Sequence, residues 1–275
     1  MNRKDIILAK VDKETKGLEI GPNASPMAPK REGYQVHVMD HLSRKELLVK
    51  YKDHGVALDQ IEEVDYVWQG ESFEKLTGGT KNYDWIIASH VIEHTPDLIG
   101  FLNECDSILK EDGILSLAIP DKRYCFDHFR SPTPISKIID NHLEPSAIHS
   151  QGTVAEYFLQ VVSKSGRIAW EETTKGAYEL VHTTQNALDG MRAVKEDKSY
   201  LDVHAWCFVP HSFRLIVKDL NELGLISLRE IDFHETLGHE FFITLGRKGK
   251  ESDLSRIDLL QIMEQEIAEG IDPPS

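Results

Sequence analysis

An α/β fold, a mostly parallel sheet with helices on both faces, is what this sequence predicts, and three observations carry that prediction. Short β-like runs alternate with helical patterns from residue 17 to 120. Cap and turn residues stand at the junctions between them. At 275 residues the chain has the length of one large domain, or of a domain with an elaboration.

The elements follow in order. "GLEIG" (17 to 21) reads as a strand ending in a glycine turn, and "YQVHVMD" (34 to 40) as the next strand. "SRKELLVKYKDHG" is a helix, because Ser43 and Glu46 stand at capping-box spacing and Gly55 ends the pattern. "VDYVWQG" (64 to 70) and "DWIIAS" (84 to 89) are the third and fourth strands. Thr95-Pro96-Asp97 supplies an N-cap hydroxyl, a first-turn proline and an acid at the positive end of the following helix dipole. That helix carries Leu98, Phe101, Leu102, Cys105, Ile108 and Leu109 on one face, and "EDG" closes it before a fifth strand, "ILSLAIP". After Pro120 the alternation stops. Residues 121 to 208 read as an irregular, partly helical insertion, and order returns with the helix of "VPHSFRLIVKDLNELGL" and the strands "ISLREIDFHE" and "HEFFITLGRK". A core of 1–120 and 209–250 is thus interrupted by a substrate-binding or lid region. Residues 251–275 supply a C-terminal helix and a tail, with Leu254, Ile257, Leu260 and Ile267 on or near the apolar face of the helix and "GIDPPS" frayed.

Composition narrows the function classes. Lys and Arg number 31 against 46 Asp and Glu, a formal charge of −15, which argues against nucleic acid as the main partner. No apolar run approaches the ~20 residues of a membrane span, and the apolar segment of "MNRKDIILAKVDKETKG" is too short for a secretory signal, so a cytoplasmic protein is expected. Cys105, Cys125 and Cys207 show no CxxC spacing and read as reduced core thiols.

In an open α/β sheet, ligands bind beyond the carboxyl ends of the strands. The first strand ends at Glu19 and Gly21, where a ligand can approach the backbone. Asp40 ends the second, at the spacing at which an acid meets ribose hydroxyls. Gly70 and Glu71 end the third; Glu71 suits either an adenine amino group or a helix N-terminus. The fourth ends in "SHVIEHTPDL", with Ser89, His90 and His94 in reach of a ligand and Glu93 read as a turn acid.

The segments "LEIGP", "VMD", "QGES", "YDWIIASHVIEHTPDL" and "LKEDGILSLAIPD" stand in the order and spacing of class I methyltransferases that use S-adenosylmethionine, and the chain resembles that family. The resemblance implies a Rossmann-like, seven-stranded sheet whose last strand is antiparallel. It also implies that Glu19 and Gly21 face the methionine end of the cofactor, Asp40 the ribose and Glu71 with Gly70 the adenine, while Ser89, His90 and His94 lie beside the sulfonium. A nicotinamide-binding Rossmann domain is the poorer reading, since one glycine after the first strand is too few for a pyrophosphate. In place of the GxGxG pattern of many family members stands "GPNASPMAPKREG", so the first crossover must be compact.

A hydroxyl acceptor must lose a proton as the carbon–oxygen bond forms. "IPDKRYCFDHFR" and "YLDVHAWCFVPHSF", the two ends of the insertion, should lie close together and carry the candidates. His204 is the first choice of base, with Asp202 on the same side of an extended segment to orient it, and Asp121 is the second. Arg123, Tyr124 and Trp206 are candidates for holding the acceptor. A divalent metal among Asp121, Asp127, His128 and His204 lacks tight ligand spacing and is not assigned. "SLAIPDKRYCFD" and "DVHAWCFVP" look similar to methyltransferase modules of bacterial surface-polysaccharide machinery, some joined to glycosyltransferases. That resemblance implies O-methylation of a sugar or glycan. The alternatives are a non-sugar small-molecule acceptor, or a catalytically silent binding module that docks or self-associates through its C-terminal helix.

Overall fold

The computed structural model describes residues 2–250 and 252–270. A short helix, α1 (Arg3–Ile7), precedes β1 (Gly17–Ile20), and Asn2 and Asp5 cap it reciprocally. The crossover that follows is compact, with a single 3-10 turn at Lys30–Glu32 before β2 (Val36–Asp40). Ser43 and Glu46 close the expected capping box on α2 (Arg44–Tyr51). Only two residues of the expected third strand pair as β3 (Tyr66–Val67), because Trp68 turns its indole N–H onto the Glu71 carbonyl and Gly70 takes a φ of +99°. Next come α3 (Phe73–Thr77), β4 (Tyr83–Ser89) and a 3-10 turn at Ile92–His94.

Two sequence expectations shift at this point. The N-cap of α4 (Leu98–Ile108) is Asp97, whose Oδ1 accepts the Gly100 amide at 2.8 Å; Thr95 is spent instead on the carbonyl of Ile92. "EDG" lies within β5 (Leu109–Pro120) rather than in a turn, since the β4–β5 register jumps between Tyr83 and Trp85 and takes up those residues. The region from 121 to 208 then holds α5 (Ile135–Leu143), α6 (Gln151–Gln160), a two-stranded ribbon of β6 (Val162–Lys164) and β7 (Tyr178–Leu180), and α7 (Thr184–Glu196). The chain finishes with α8 (Pro210–Glu222), β8 (Arg229–Leu237), β9 (Glu240–Gly246) and α9 (Arg256–Glu269). Most of the "GIDPPS" end, expected to fray, lies outside the described residues.

Seven strands form one sheet in the order β3-β2-β1-β4-β5-β9-β8, with β1 to β5 parallel and β9 antiparallel to both its neighbours. This is the Rossmann-like arrangement expected from the sequence, and it brings the carboxyl ends of β1, β2, β4 and β5 to one edge. Strand β4 shows why the sheet needs a cover on each face. Ile86 and Ala88 pack into a core with α4 and α8, while Trp85 and Ile87 pack with Ile6 and Ile7 of α1 and with Met27 and Ala28 of the compact crossover.

Gly17 is required by that second face. A Cβ built there would lie 2.1 Å from Cε2 of Trp85, whose ring is buried. Gly17→Ala is therefore expected to lower the urea midpoint by an amount equivalent to about 2–4 kcal/mol, and a smaller residue at position 85 should return part of the loss. An unchanged midpoint would mean that the ring has room to move.

The closing helix does not pack as its apolar pattern suggested. Ile257 and Leu260 are exposed, and α9 instead buries Leu259 and Glu266, because Glu266 accepts the backbone N–H of His211 at 3.0 Å and pairs with His211 Nδ1 at 2.7 Å on α8. The two ends of the insertion do lie side by side, since Lys122 N–H donates to the Phe208 carbonyl at 2.9 Å. All three cysteines are free and buried. No helix among the described residues is long and apolar enough to cross a membrane.

Candidate active site

The site is built at the carboxyl edge of the sheet, and it has two halves. In the first, Gly21 leaves β1 with a φ of +63° and donates its N–H to the Met39 carbonyl at 2.8 Å; a Cβ on it would press on Val91 at 3.0 Å. Asp40 ends β2 with its side chain buried. Its Oδ1 accepts the His41 amide at 2.7 Å, whereas Oδ2 has no hydrogen-bond partner among the described residues. Gly70 opens onto free space, and Glu71 curls back to accept the Gln69 amide at 2.9 Å.

Glu19 holds this half closed. Its carboxylate accepts the Met27 and Ala28 amides at 2.6 and 3.1 Å, so the crossover loop is tied down over β1. Burial pushes its pKa up to about 7 from an ordinary 4.5, the two amides pulling the other way. Between those values the folded protein keeps a proton that the unfolded chain has lost. Stability should therefore fall as pH rises from about 4.5 to 7, by roughly 2–3 kcal/mol. Glu19→Gln, which cannot ionise, is expected to flatten that part of the stability profile measured by urea unfolding at several pH values. An equally steep profile in the variant would assign the slope to other groups.

Sequence reading missed Arg3, which reaches from α1 across the end of β4. Its guanidinium bonds Ser89 Oγ and Glu240 and donates to Met27 Sδ at 3.1 Å. His90, in a left-handed conformation with φ +54°, completes this cluster by setting Nε2 2.7 Å from Glu240 Oε2. Burial works against a charge on Glu240, but His90 and Arg3 outweigh it and lower its pKa. A signal existed, since "HEFF" opens a strand buried along its whole length and its glutamate had to be paired.

The second half gathers around Glu93. Far from facing solvent, Glu93 is 1% exposed, and its carboxylate stands 3.7 Å from His90 Nδ1, 3.8 Å from His94 Nε2 and 3.8 Å from His204 Nε2. The chain is stapled here: the Glu93 carbonyl accepts the Ala205 amide at 2.7 Å and the Trp206 amide at 3.3 Å, and Trp206 donates its indole N–H to the Thr95 carbonyl at 2.7 Å. That places His204 against His94, ring centroids 4.5 Å apart and perpendicular.

The partner of His204 differs from the expected one, and the acid expected to orient it stands by His94 instead. Asp127, not Asp202, holds His204, with Oδ2 2.5 Å from Nδ1; Asp202 turns to His94, 2.8 Å from its Nδ1. Arg130 braces the pair from behind, donating Nη1 to Asp127 at 2.8 Å and to the His204 carbonyl at 2.9 Å. Burial alone would raise the Asp127 pKa, but His204 and Arg130 outweigh it and bring it to about 2. Burial likewise opposes a charge on His94, but Asp202 and Glu93 outweigh it and raise its pKa.

Asp121 and its neighbours lie outside this cluster. Both Asp121 oxygens are taken, by the Arg123 guanidinium at 2.6–3.0 Å and by Thr236 at 2.7 Å, and none of the acid is exposed. Arg123 packs over Tyr124, and Trp206 is buried in the core. A cavity of about 410 Å³ opens instead from Pro96 toward Asn141, His149, Ser150, Gln151 and Lys198. Tyr200, whose ring lies tilted against that of His149, donates to the His94 carbonyl at 3.0 Å, so the cavity adjoins the His94 side.

No curated protein matches this sequence. Among solved structures, the chain is similar to one described as a Zn-dependent alcohol dehydrogenase from Rhodobacter sphaeroides, at 13% identity over 89% of this chain and 88% of that one with a TM-score of 0.46. It is similar to the CcbJ methyltransferase from Streptomyces caelestis at 13% identity over 87% and 86% with a TM-score of 0.45. The 1,6-didemethyltoxoflavin-N1-methyltransferase of Burkholderia thailandensis follows at 10% identity over 90% and 76%, with a TM-score of 0.44. Likenesses at this level assign no activity. The family described as Methyltransferase domain matches residues 4–166, a stretch that holds the strand ends from Glu19 to His94 together with Asp127 and Arg130, and the chain belongs to that family.

Proposed function

We propose that the protein transfers a methyl group from S-adenosylmethionine to a hydroxyl of a sugar or glycan, in the surface-polysaccharide chemistry that two segments of the insertion resemble. The observation that carries the cofactor is Asp40: a buried carboxylate with one oxygen unshared, one strand away from the Gly21 turn. Two adjacent ribose hydroxyls are the donors that such an oxygen lacks. Gly21 leaves room for the ligand backbone, and Gly70 faces open space on the adenine side. When bound, the cofactor supplies an electrophilic methyl group on a sulfonium; in-line displacement then asks the protein mainly to align the acceptor and exclude water.

The acceptor side supports oxygen chemistry. Asp127 fixes Nδ1 of His204, so Nε2 carries the lone pair and points toward Glu93, where a hydroxyl proton can be received. His204 is accordingly assigned the role of base in preference to Asp121, whose oxygens are committed to Arg123 and Thr236. The 410 Å³ cavity, with its amides, serine, histidine and lysine, suits a hydroxyl-rich acceptor.

Calorimetric titration with S-adenosylmethionine and S-adenosylhomocysteine, with NAD as control, tests the cofactor. Sugars and nucleotide-linked sugars are then screened for methylated product by mass spectrometry. Binding of neither sulfur compound would sink the reading. Binding, with methylation confined to non-sugar acceptors, would retain the cofactor and remove the sugar.

A further inference from the structure

We infer that Glu93, His94 and His204 form a binding site for a divalent transition-metal ion. Three observations converge on it. The ligand atoms, one carboxylate oxygen and two imidazole nitrogens, all lie within 4.8 Å of one another. Glu93 is 1% exposed, yet neither of its carboxylate oxygens has a hydrogen-bond partner among the described residues. A buried carboxylate left in that state is costly unless a cation compensates it. The His204 imidazole is also oriented from behind, by Asp127 at 2.5 Å from Nδ1, and Asp202 stands 2.8 Å from His94 Nδ1, while both Nε2 atoms face Glu93 at 3.8 Å. Carboxylates placed behind histidines in this way fix the tautomer and raise the basicity of a metal ligand.

The separations of 3.8 Å from Glu93 Oε1 to each Nε2 are wider than the roughly 3–3.5 Å between ligands that lie about 2.0–2.2 Å from a common ion. Small side-chain rotations close that gap, since the backbone of Glu93 is already clamped to Ala205 and Trp206. Two nitrogens and one oxygen favour Mn²⁺, Fe²⁺, Co²⁺ or Zn²⁺ over Mg²⁺ and Ca²⁺, and three protein ligands leave positions open. That an acceptor hydroxyl takes one of them rests on the methyl-transfer reading. The cation would then occupy the His204 lone pair that serves as base in the metal-free protein.

The other cluster of this kind among the described residues, His211 with Glu235 and Glu266, lacks these features. Glu266 and Arg214 already occupy both nitrogens of His211, at 2.7 and 3.1 Å, and Glu235 is exposed.

The test uses the full chain, stripped with a chelator and titrated calorimetrically with Mn²⁺, Zn²⁺, Mg²⁺ and Ca²⁺, with Mn²⁺ binding followed in parallel by electron paramagnetic resonance. One equivalent of Mn²⁺ or Zn²⁺ is expected to bind, at least tenfold more tightly than Mg²⁺ or Ca²⁺. Glu93→Gln and His204→Ala should each weaken it on the order of a hundredfold, with circular dichroism confirming that both variants are folded, whereas His211→Asn should leave it unchanged. Failure of the wild type to bind, or undiminished binding in both site variants, overturns the site even if S-adenosylmethionine binds. Stoichiometric binding that both variants lose establishes it even if no methyl acceptor is found.

Discussion

Asp127→Asn is expected to lower the unfolding free energy by about 3–5 kcal/mol, the loss that follows when one partner of a buried ion pair is removed. The residue carries two jobs at once. Its Oδ1 neutralises the Arg130 guanidinium, whose side chain is 1% exposed, and its Oδ2 fixes His204. In the variant, among the described residues, Arg130 keeps only the part-exposed Glu156 at 3.4 Å as an acidic partner, and its Nε already lacks a hydrogen-bond partner. The new amide would also direct N–H groups at either the guanidinium or the imidazole. Activity should fall further than stability explains. With His204 no longer held, kcat is expected to drop on the order of a hundredfold or more, at a temperature where circular dichroism still shows folded protein. Urea unfolding and steady-state rates check the two halves separately. A stability change under about 1 kcal/mol would mean that the pair contributes little beyond a hydrophobic replacement.

Asp40→Ala should leave the fold standing and raise the Kd for S-adenosylmethionine about a hundredfold. Two hydroxyl donors on an ionised acceptor contribute roughly 1.5–3 kcal/mol each, and the part lost on truncation corresponds to about two decades in Kd. Asp40 ends its strand, and among the described residues its side chain is engaged only with His41, through the backbone amide at 2.7 Å and through Nδ1 at 2.6 Å, so unfolding should change far less than binding. Titration calorimetry on both proteins reads the difference. Equal affinity in the two would place the ribose elsewhere and with it the orientation of the whole ligand.

Much of the fold was legible because the sheet writes itself locally. The first two strands announce their ends with Gly21 and Asp40, and Ser43 with Glu46 marks the head of α2. Where a local rule had two solutions the sequence did not choose. Thr95 and Asp97 could both cap α4, and Asp97 won because its oxygen reaches the Gly100 amide. In the candidate site, residue types could be named but their pairing could not. His94 and His204 could be named, yet Asp202, two residues from His204, looked like its partner, and the true one lies 77 residues away on the other limb of the insertion. Adjacency on an extended segment shows which side chains share a side; it cannot show what the segment is laid against. Glu93 failed for the same reason, since its burial is imposed by the returning segment 204–206, and Glu266 defeated the apolar pattern of α9 because its partner sits on α8.

The stapling of Ala205 and Trp206 onto the Glu93 carbonyl has a consequence for transplanting acceptor specificity between related proteins. The obvious cut points, where the alternation of strands and helices breaks off and resumes, would carry away Asp127, Arg130 and His204 with the foreign piece and leave Glu93 and His94 facing a stranger's seam. Grafts that join between Arg130 and α5, and again between α7 and Asp202, keep the reacting corner native. They exchange the walls of the cavity around Asn141, His149 and Lys198 together with the β6–β7 ribbon. The interchangeable unit of this molecule is therefore smaller than its insertion.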